Sequence, residues 1–335
     1  MTNASGIILE DTAPTLSVVY TCFLFLVVFL SLTTNIAVCV TIFSCPGLKT
    51  PLDFYILNLS ITDLFSSFIA TFTVDNVRLE WSLGSGFCKL TSYFIFTCFS
   101  VTILTLSLMF GERYYSIYQS LKHPQKNLFR RCRLTITTAW VLSLLVFIPF
   151  IFAFSLEEIT TTAGETKEIC AETWSSQSKK YYALFVFIMF ILAPSGIMAF
   201  LFAKIFQKLN EPLSSNSGGS VILHKKRKSE SQMLLVLYLL QFSCWTPTIV
   251  LNLLHNFDQT GSNYLKIWLF LKLLHFLRAF LHPLVYYFMY PGFRNNLRAL
   301  FKSCCPSSAR SKNNASGNVI KESYVSSNSV PRKTR

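Results

Sequence analysis

Ionisable side chains are scarce inside the long apolar runs of this chain. Those that occur there include Asp63, Glu112, Arg113, Lys272 and Arg278 with His275 and His282 beside them, and these bear on the chemistry it can do. Zinc or protease chemistry within such runs needs clustered His, Asp or Glu. Here the groups are spread over separate runs, and no CxxC pair suggests a metal. We therefore expect no catalysis, no cofactor and no metal. Arg113 stands near the end of an apolar run, where an unpaired charge is expensive and normally functional. Glu112 beside it is placed to hold the guanidinium; the plainer alternative is an arginine snorkelling to headgroups.

The elements that must position these groups follow from composition. Hydrophobic residues make up 52% of the 335 residues and charged residues 14%, against about 25% charged in globular domains. A stretch of about 20 apolar residues crosses a bilayer as a helix. Seven such stretches are read, approximately at 15–43, 52–77, 86–118, 131–154, 180–208, 229–255 and 264–290. Backbone polar groups must be satisfied internally in lipid, and Pro149, Pro194, Pro247 and Pro283 kink such helices without breaking them. The expected fold is an all-α membrane protein, a seven-transmembrane helix bundle.

Charge placement gives orientation. The second, fourth and sixth connections carry Glu80, Glu157, Glu158, Glu165, Glu168, Glu172 and Asp258. The first, third and fifth and the tail carry Lys49, the cluster from Lys122 to Arg133, Lys225 to Lys228, and Arg294, Arg298 and Lys302. Basic segments resist translocation, so the chain is expected as a multi-pass protein of the cell membrane with residues 1–14 outside and the C-terminus in the cytoplasm. The net charge of +14 thus faces anionic lipid in short clusters and gives no reason to expect nucleic acid as a partner. Asn3 begins a glycosylation sequon, Asn3-Ala4-Ser5. Residues 210–220 read as a flexible linker. Residues 291–303 alternate Phe293, Leu297, Leu300 and Phe301 with Arg294, Arg298 and Lys302, the spacing of an amphipathic helix on the membrane surface. Cys304 and Cys305 are candidate palmitoylation sites rather than plain free thiols. The remainder, 304–335, is Ser- and Asn-rich and reads as a disordered cytoplasmic tail.

From about residue 15 to 305 the chain resembles rhodopsin-like (class A) G-protein-coupled receptors, one motif per span and in order. Asn35 resembles the first-helix Asn, and Leu57-Asn58-Leu59-Ser60-Ile61-Thr62-Asp63-Leu64 the second-helix signature. Trp81 looks like the first-loop Trp, Glu112-Arg113-Tyr114 the acidic-Arg-Tyr triplet, Trp140 the fourth-helix Trp and Pro194 the fifth-helix Pro. Cys244-Trp245-Thr246-Pro247 resembles the sixth-helix CWxP, His282-Pro283-Leu284-Val285-Tyr286 is one letter from NPxxY, and Phe293 follows at the family's spacing. The resemblance implies activation of a heterotrimeric G protein, with arrestin and a receptor kinase as tail partners. It implies that release of Arg113 opens a socket for the G protein, that Trp245 senses ligand contact beside the kink at Pro247, and that Cys88 and Cys170 are paired.

The chain departs from the family pattern at the buried polar core. Asp63 would there join a third-helix Ser and seventh-helix polar groups in a sodium site, but the corresponding positions are Thr102, Arg278, Ala279 and His282. We expect Arg278 to pair with Asp63 and replace the ion, because an intramembrane cation needs a partner; the alternative is Arg278 reaching a water pocket alone. Gln241 stands where the family has Phe, Phe202 where it has Tyr, and Arg227 where a sixth-helix acid would brace Arg113. On this reading the brace is absent and basal signalling is expected.

Register bears on the ligand. The positions of a retinal-binding Lys and of an amine-binding Asp are Phe276 and Ile95, so neither light nor a small amine is expected. The segment Glu168 to Trp174 resembles the second extracellular loop of neuropeptide receptors, and Ile159 to Thr162 suit a hairpin lid. Acids on the outer side, including Asp75, would raise the local concentration of a cationic ligand. The favoured ligand is a basic peptide, possibly amidated, in a pocket drawn from Asp75, Ile95, Glu172, Trp174, Asn252, His255, Lys272 and His275. A lipid or other small non-amine ligand stays open, and a transporter is the alternative of a different class, without the internal repeats that transporters show.

Overall fold

The computed structural model describes residues 13–45, 48, 50–77, 80–119, 128–160, 164–211, 218–257 and 264–304. Asn3, Cys305 and the tail lie outside them, as does the side chain of Cys304. Seven helices are long and apolar enough to cross a membrane: α1 (Ala13–Ser44), α2 (Pro51–Ala70), α3 (Gly84–Gln119), α4 (Leu128–Ala153), α5 (Ser176–Leu209), α6 (Gly218–Asn256) and α7 (Tyr264–Met289). A further helix, α8 (Pro291–Cys304), follows. Large apolar side chains such as Phe29, Phe43, Phe152, Phe270 and Phe288 remain exposed on the outside of the bundle. Water would penalise that surface; hydrocarbon does not.

Local chemistry sets the helix ends. At the start of α2, Thr50 and Asp53 form a reciprocal capping box, with Pro51 at the first helical position; this satisfies donors that a helix start leaves orphaned. Gly84, the first residue of α3, takes φ +77, a conformation open to glycine without a Cβ clash. Pro149 divides α4 after Phe147. Before Pro194, α5 widens into a π-turn over Phe187–Leu192, one of the ways a helix absorbs a lost hydrogen bond. Pro247 and Pro283 lie within continuous helices.

The segment between α4 and α5 forms an antiparallel hairpin, β1 (Phe154–Thr160) and β2 (Thr166–Glu172), with Leu156 opposite Cys170. A disulfide joins Cys170 to Cys88 of α3, with Cα atoms 5.5 Å apart. Trp81 is buried against this bridge and donates its indole N–H to the Gly84 carbonyl at 2.9 Å, while its backbone N–H reaches the Glu168 carbonyl. The two ends of the bundle are therefore distinguishable as the hairpin end and the α8 end.

Two sequence readings need correction here. The sixth run was read from residue 229 with a linker over 210–220, but α6 begins at Gly218. Lys225 to Lys228 are thus helical, because a helix does not stop where its hydropathy does. The other bounds differ by a few residues.

Candidate functional site

At the α8 end, Glu112 and Arg113 are consecutive in α3. Neighbouring helical residues point about 100° apart, so they address different partners. Arg113 Nη1 lies 2.8 Å from Glu230 Oε2 of α6, with both side chains largely buried at 11% and 7% exposed. Glu112 pairs with Arg131 of α4, whose guanidinium sits 4.4 Å over the Tyr115 ring. This corrects two expectations. Glu112 does not hold Arg113, and a sixth-helix acid is present: Glu230 stands one turn beyond Arg227, at the start of the sixth apolar run. Arg131, read only as part of a basic loop cluster, is helical and faces α3.

Further ties close this end. Ser229 Oγ donates to the Met289 carbonyl, and Tyr290 donates its hydroxyl to Asp53 Oδ1 at 2.9 Å. Tyr114 packs against the buried core and stacks with Tyr118 at 4.5 Å. Phe293 is buried beside Tyr286 in that core.

Halfway along the bundle, Asp63, Arg278 and His282 are almost completely buried, at 0%, 1% and 0% exposed. Arg278 Nη1 approaches Asp63 Oδ1 to 3.2 Å as a charge contact without hydrogen-bond alignment, and His282 Nδ1 bonds Asp63 Oδ2 at 2.8 Å. Asp63 thus carries two cation-capable partners from α7. Asn35 pins α1 to α7 through the Ala279 carbonyl at 2.8 Å. Thr102 is buried, but its hydroxyl donates to Cys98 in its own helix. Asn58 joins α2 to Thr105 of α3 and accepts from the Trp140 indole. Tyr286 and Pro283 are buried nearby, and the Tyr286 hydroxyl has no hydrogen-bond partner among the described residues.

Above this layer Trp245 is 3% exposed, with ring centroids 4.0 Å from Phe99 and 3.7 Å from His275. Ile95 and Phe96 pack on the same aromatic cluster. At the hairpin end itself, the Lys272 ammonium stands 3.9 Å over the Trp268 ring. Asn252 Oδ1 accepts from the Tyr264 hydroxyl, and His255 stacks on the Tyr264 ring at 3.9 Å, tying α6 to α7. Glu172 ends β2 close enough to Tyr264 to act on it electrostatically. Burial pushes the Glu172 carboxyl above its ordinary value, with Lys179 pulling it back. Burial and then Glu172 push the Tyr264 phenol up to about 12.

The structure therefore gathers Glu172, Asn252 and His255 around Tyr264, and sets Lys272 and His275 together on α7. Asp75 and Trp174 meet other groups among the described residues. The Asp75 carboxylate accepts from Ser82 N and Oγ, and Trp174 lies at 5.0 Å from Tyr182 under the hairpin. Sequence reasoning missed Glu230, Arg131 and Tyr264. The available signal for Glu230 was its place three residues, about one helical turn, after Arg227.

The sequence pattern of the seven-transmembrane receptor (rhodopsin family) matches residues 34–286. Among curated proteins, the QRFP-like peptide receptor of Branchiostoma floridae is 25% identical over 307 residues, covering 88% of this chain and 79% of that protein. Neuropeptide FF receptor 2 of Rattus norvegicus is 24% identical over 311 residues, covering 87% and 74%. With a match across most of its length and a seven-helix bundle to carry it, the chain belongs to the rhodopsin family of seven-transmembrane receptors.

Proposed function

We propose that this receptor binds a basic peptide at the hairpin end, outside the cell, and activates a heterotrimeric G protein at the α8 end. The observation that carries the coupling half is the Arg113–Glu230 ion pair. It joins α3 to α6 at one point, so a movement of α6 that parts the pair opens a crevice and frees a guanidinium for a partner. The positive-inside rule supports the orientation, since the α8 end carries Lys225, Lys226, Lys228 and Arg130. The named ligand classes of the two peptide-receptor relatives support a peptide ligand. The half-buried carboxylate of Glu172 supports a cation on it. Asp63 with Arg278 and His282 takes the part of an internally neutralised core, so that no sodium ion is needed. Arrestin and a receptor kinase are proposed to engage the Ser-rich tail, and Cys304 and Cys305 to be acylated.

Guanine-nucleotide exchange in membranes, screened with amidated and free-acid basic peptides, tests the proposal. Stimulation by a peptide is the expected outcome. Exchange that responds to no peptide but to a lipid would replace the ligand class, and exchange that responds to nothing would remove the coupling claim.

A further inference from the structure

Trp268, Lys272, His275, His282 and Tyr286 recur along α7 at the spacing of one helical face. The contact of His275 with Trp245 of α6 shows that this face points into the bundle. Lys272 takes part in none of the ion pairs among the described residues. The acids of this half of the bundle meet groups other than Lys272. Asp63 lies deeper with Arg278 and His282, Asp75 serves Ser82, and Glu172 sits by Tyr264. One turn below Lys272, His275 is 4% exposed and its Nε2 has no hydrogen-bond partner; neither has the Trp245 indole N–H. A cation and orphaned polar atoms within an apolar interior are both costly. An anion arriving from the hairpin end would neutralise the first and engage the second.

We propose that Lys272 and His275, walled by Trp268 and Trp245, form a subsite for a carboxylate of the ligand. The proposal rests on the reading of the hairpin-end interior as a ligand site. Phe96 and Phe99 line the same region, so the carboxylate is one attached to an apolar body, such as the free C-terminus of a peptide ending in a hydrophobic residue. A C-terminal amide offers no charge to Lys272. The favoured ligand is therefore zwitterionic, a cation towards Glu172 and a free acid towards Lys272, and not an amidated peptide.

The test uses the purified full chain in lipid nanodiscs, with indole-3-acetate and its uncharged counterpart indole-3-acetamide as probes. Thermal unfolding midpoints are followed as each is titrated, since a ligand of the folded state raises the midpoint in proportion to occupancy. The expected preference for the acid is at least about ten-fold in apparent affinity. Lys272→Met abolishes that preference without lowering the probe-free midpoint, Lys272→Arg keeps it, and His275→Leu weakens it. Equal shifts by both probes, no shift by the acid, or a preference that survives Lys272→Met and Lys272→Gln would overturn the subsite. No G protein is present in this measurement. An acid preference without any stimulated nucleotide exchange would leave the subsite standing while the receptor proposal fails, and the converse separates them equally.

Discussion

The α8 end and the hairpin end are built on opposite principles. At the α8 end the charges meet inside the molecule: Arg113 with Glu230, Glu112 with Arg131, and the Asp53 carboxylate with the Tyr290 hydroxyl. At the hairpin end, Lys272 and the Glu172 carboxylate take part in none of the ion pairs among the described residues, although Lys179 donates to the Glu172 main-chain carbonyl, and His275 Nε2 has no hydrogen-bond partner there. A region whose polar groups satisfy one another needs no ligand and resists opening. A region whose groups do not is completed from outside. Between them, Asp63, Arg278 and His282 bring opposite charges together as the α8 end does, yet Asp63 Oδ1, Arg278 Nε and Nη1 and His282 Nε2 have no hydrogen-bond partner among the described residues.

The comparison is broken most severely in that middle layer. Arg278→Met or Asp63→Ala alone strands a buried charge, and each should destabilise the purified receptor by about 3–5 kcal/mol. The pair Asp63→Leu with Arg278→Met removes both charges and should recover most of the lost melting temperature. Single and double variants melting alike would show that the two groups do not interact.

Glu172→Gln sharpens the contrast at the hairpin end. It should weaken a cationic agonist about ten-fold, or about 1.4 kcal/mol. In the wild type, agonist affinity should fall on acidification, beginning above the ordinary glutamate range, because burial raises the pH at which the carboxylate takes up a proton and loses its charge. The Gln variant should show no such dependence in binding assays across that range; a parallel fall would assign the pH effect elsewhere.

Arg131→Ala should matter less. Its side chain is 41% exposed, and pairs of that kind contribute about 0.2–1 kcal/mol. A melting shift within that range, with agonist affinity unchanged, is expected. The smallest effect is none at all: replacing choline by sodium in a binding assay should leave agonist affinity unchanged, and a strong sodium dependence would contradict the internal neutralisation of Asp63.

The bundle was legible because lipid imposes a simple rule on composition and length, and seven apolar runs obey it. The encounter of Arg278 with Asp63 was legible for a related reason, since a cation so deep has few acids to choose from. What escaped was local geometry. Glu112 and Arg113 read as a pair because they are adjacent in sequence, whereas the helical twist turns one to α4 and the other to α6. Glu230 lies inside the sixth apolar run, but the Lys225 to Lys228 stretch before it reads as a loop, although α6 begins at Gly218. With the brace present, one of the reasons for expecting basal signalling is withdrawn; Gln241 and Phe202 remain as the others. His282 was seen as one letter off a motif, and its bond to Asp63 depended on a ring direction that spacing does not give.

Nucleotide exchange without agonist, in membranes holding equal amounts of wild type and Glu230→Gln, bears most directly on the Arg113–Glu230 joint. The variant should raise that exchange about ten-fold, corresponding to about 1.4 kcal/mol moved from the closed to the open arrangement. Equal rates in the two would mean that the joint between α3 and α6 does not hold the receptor closed.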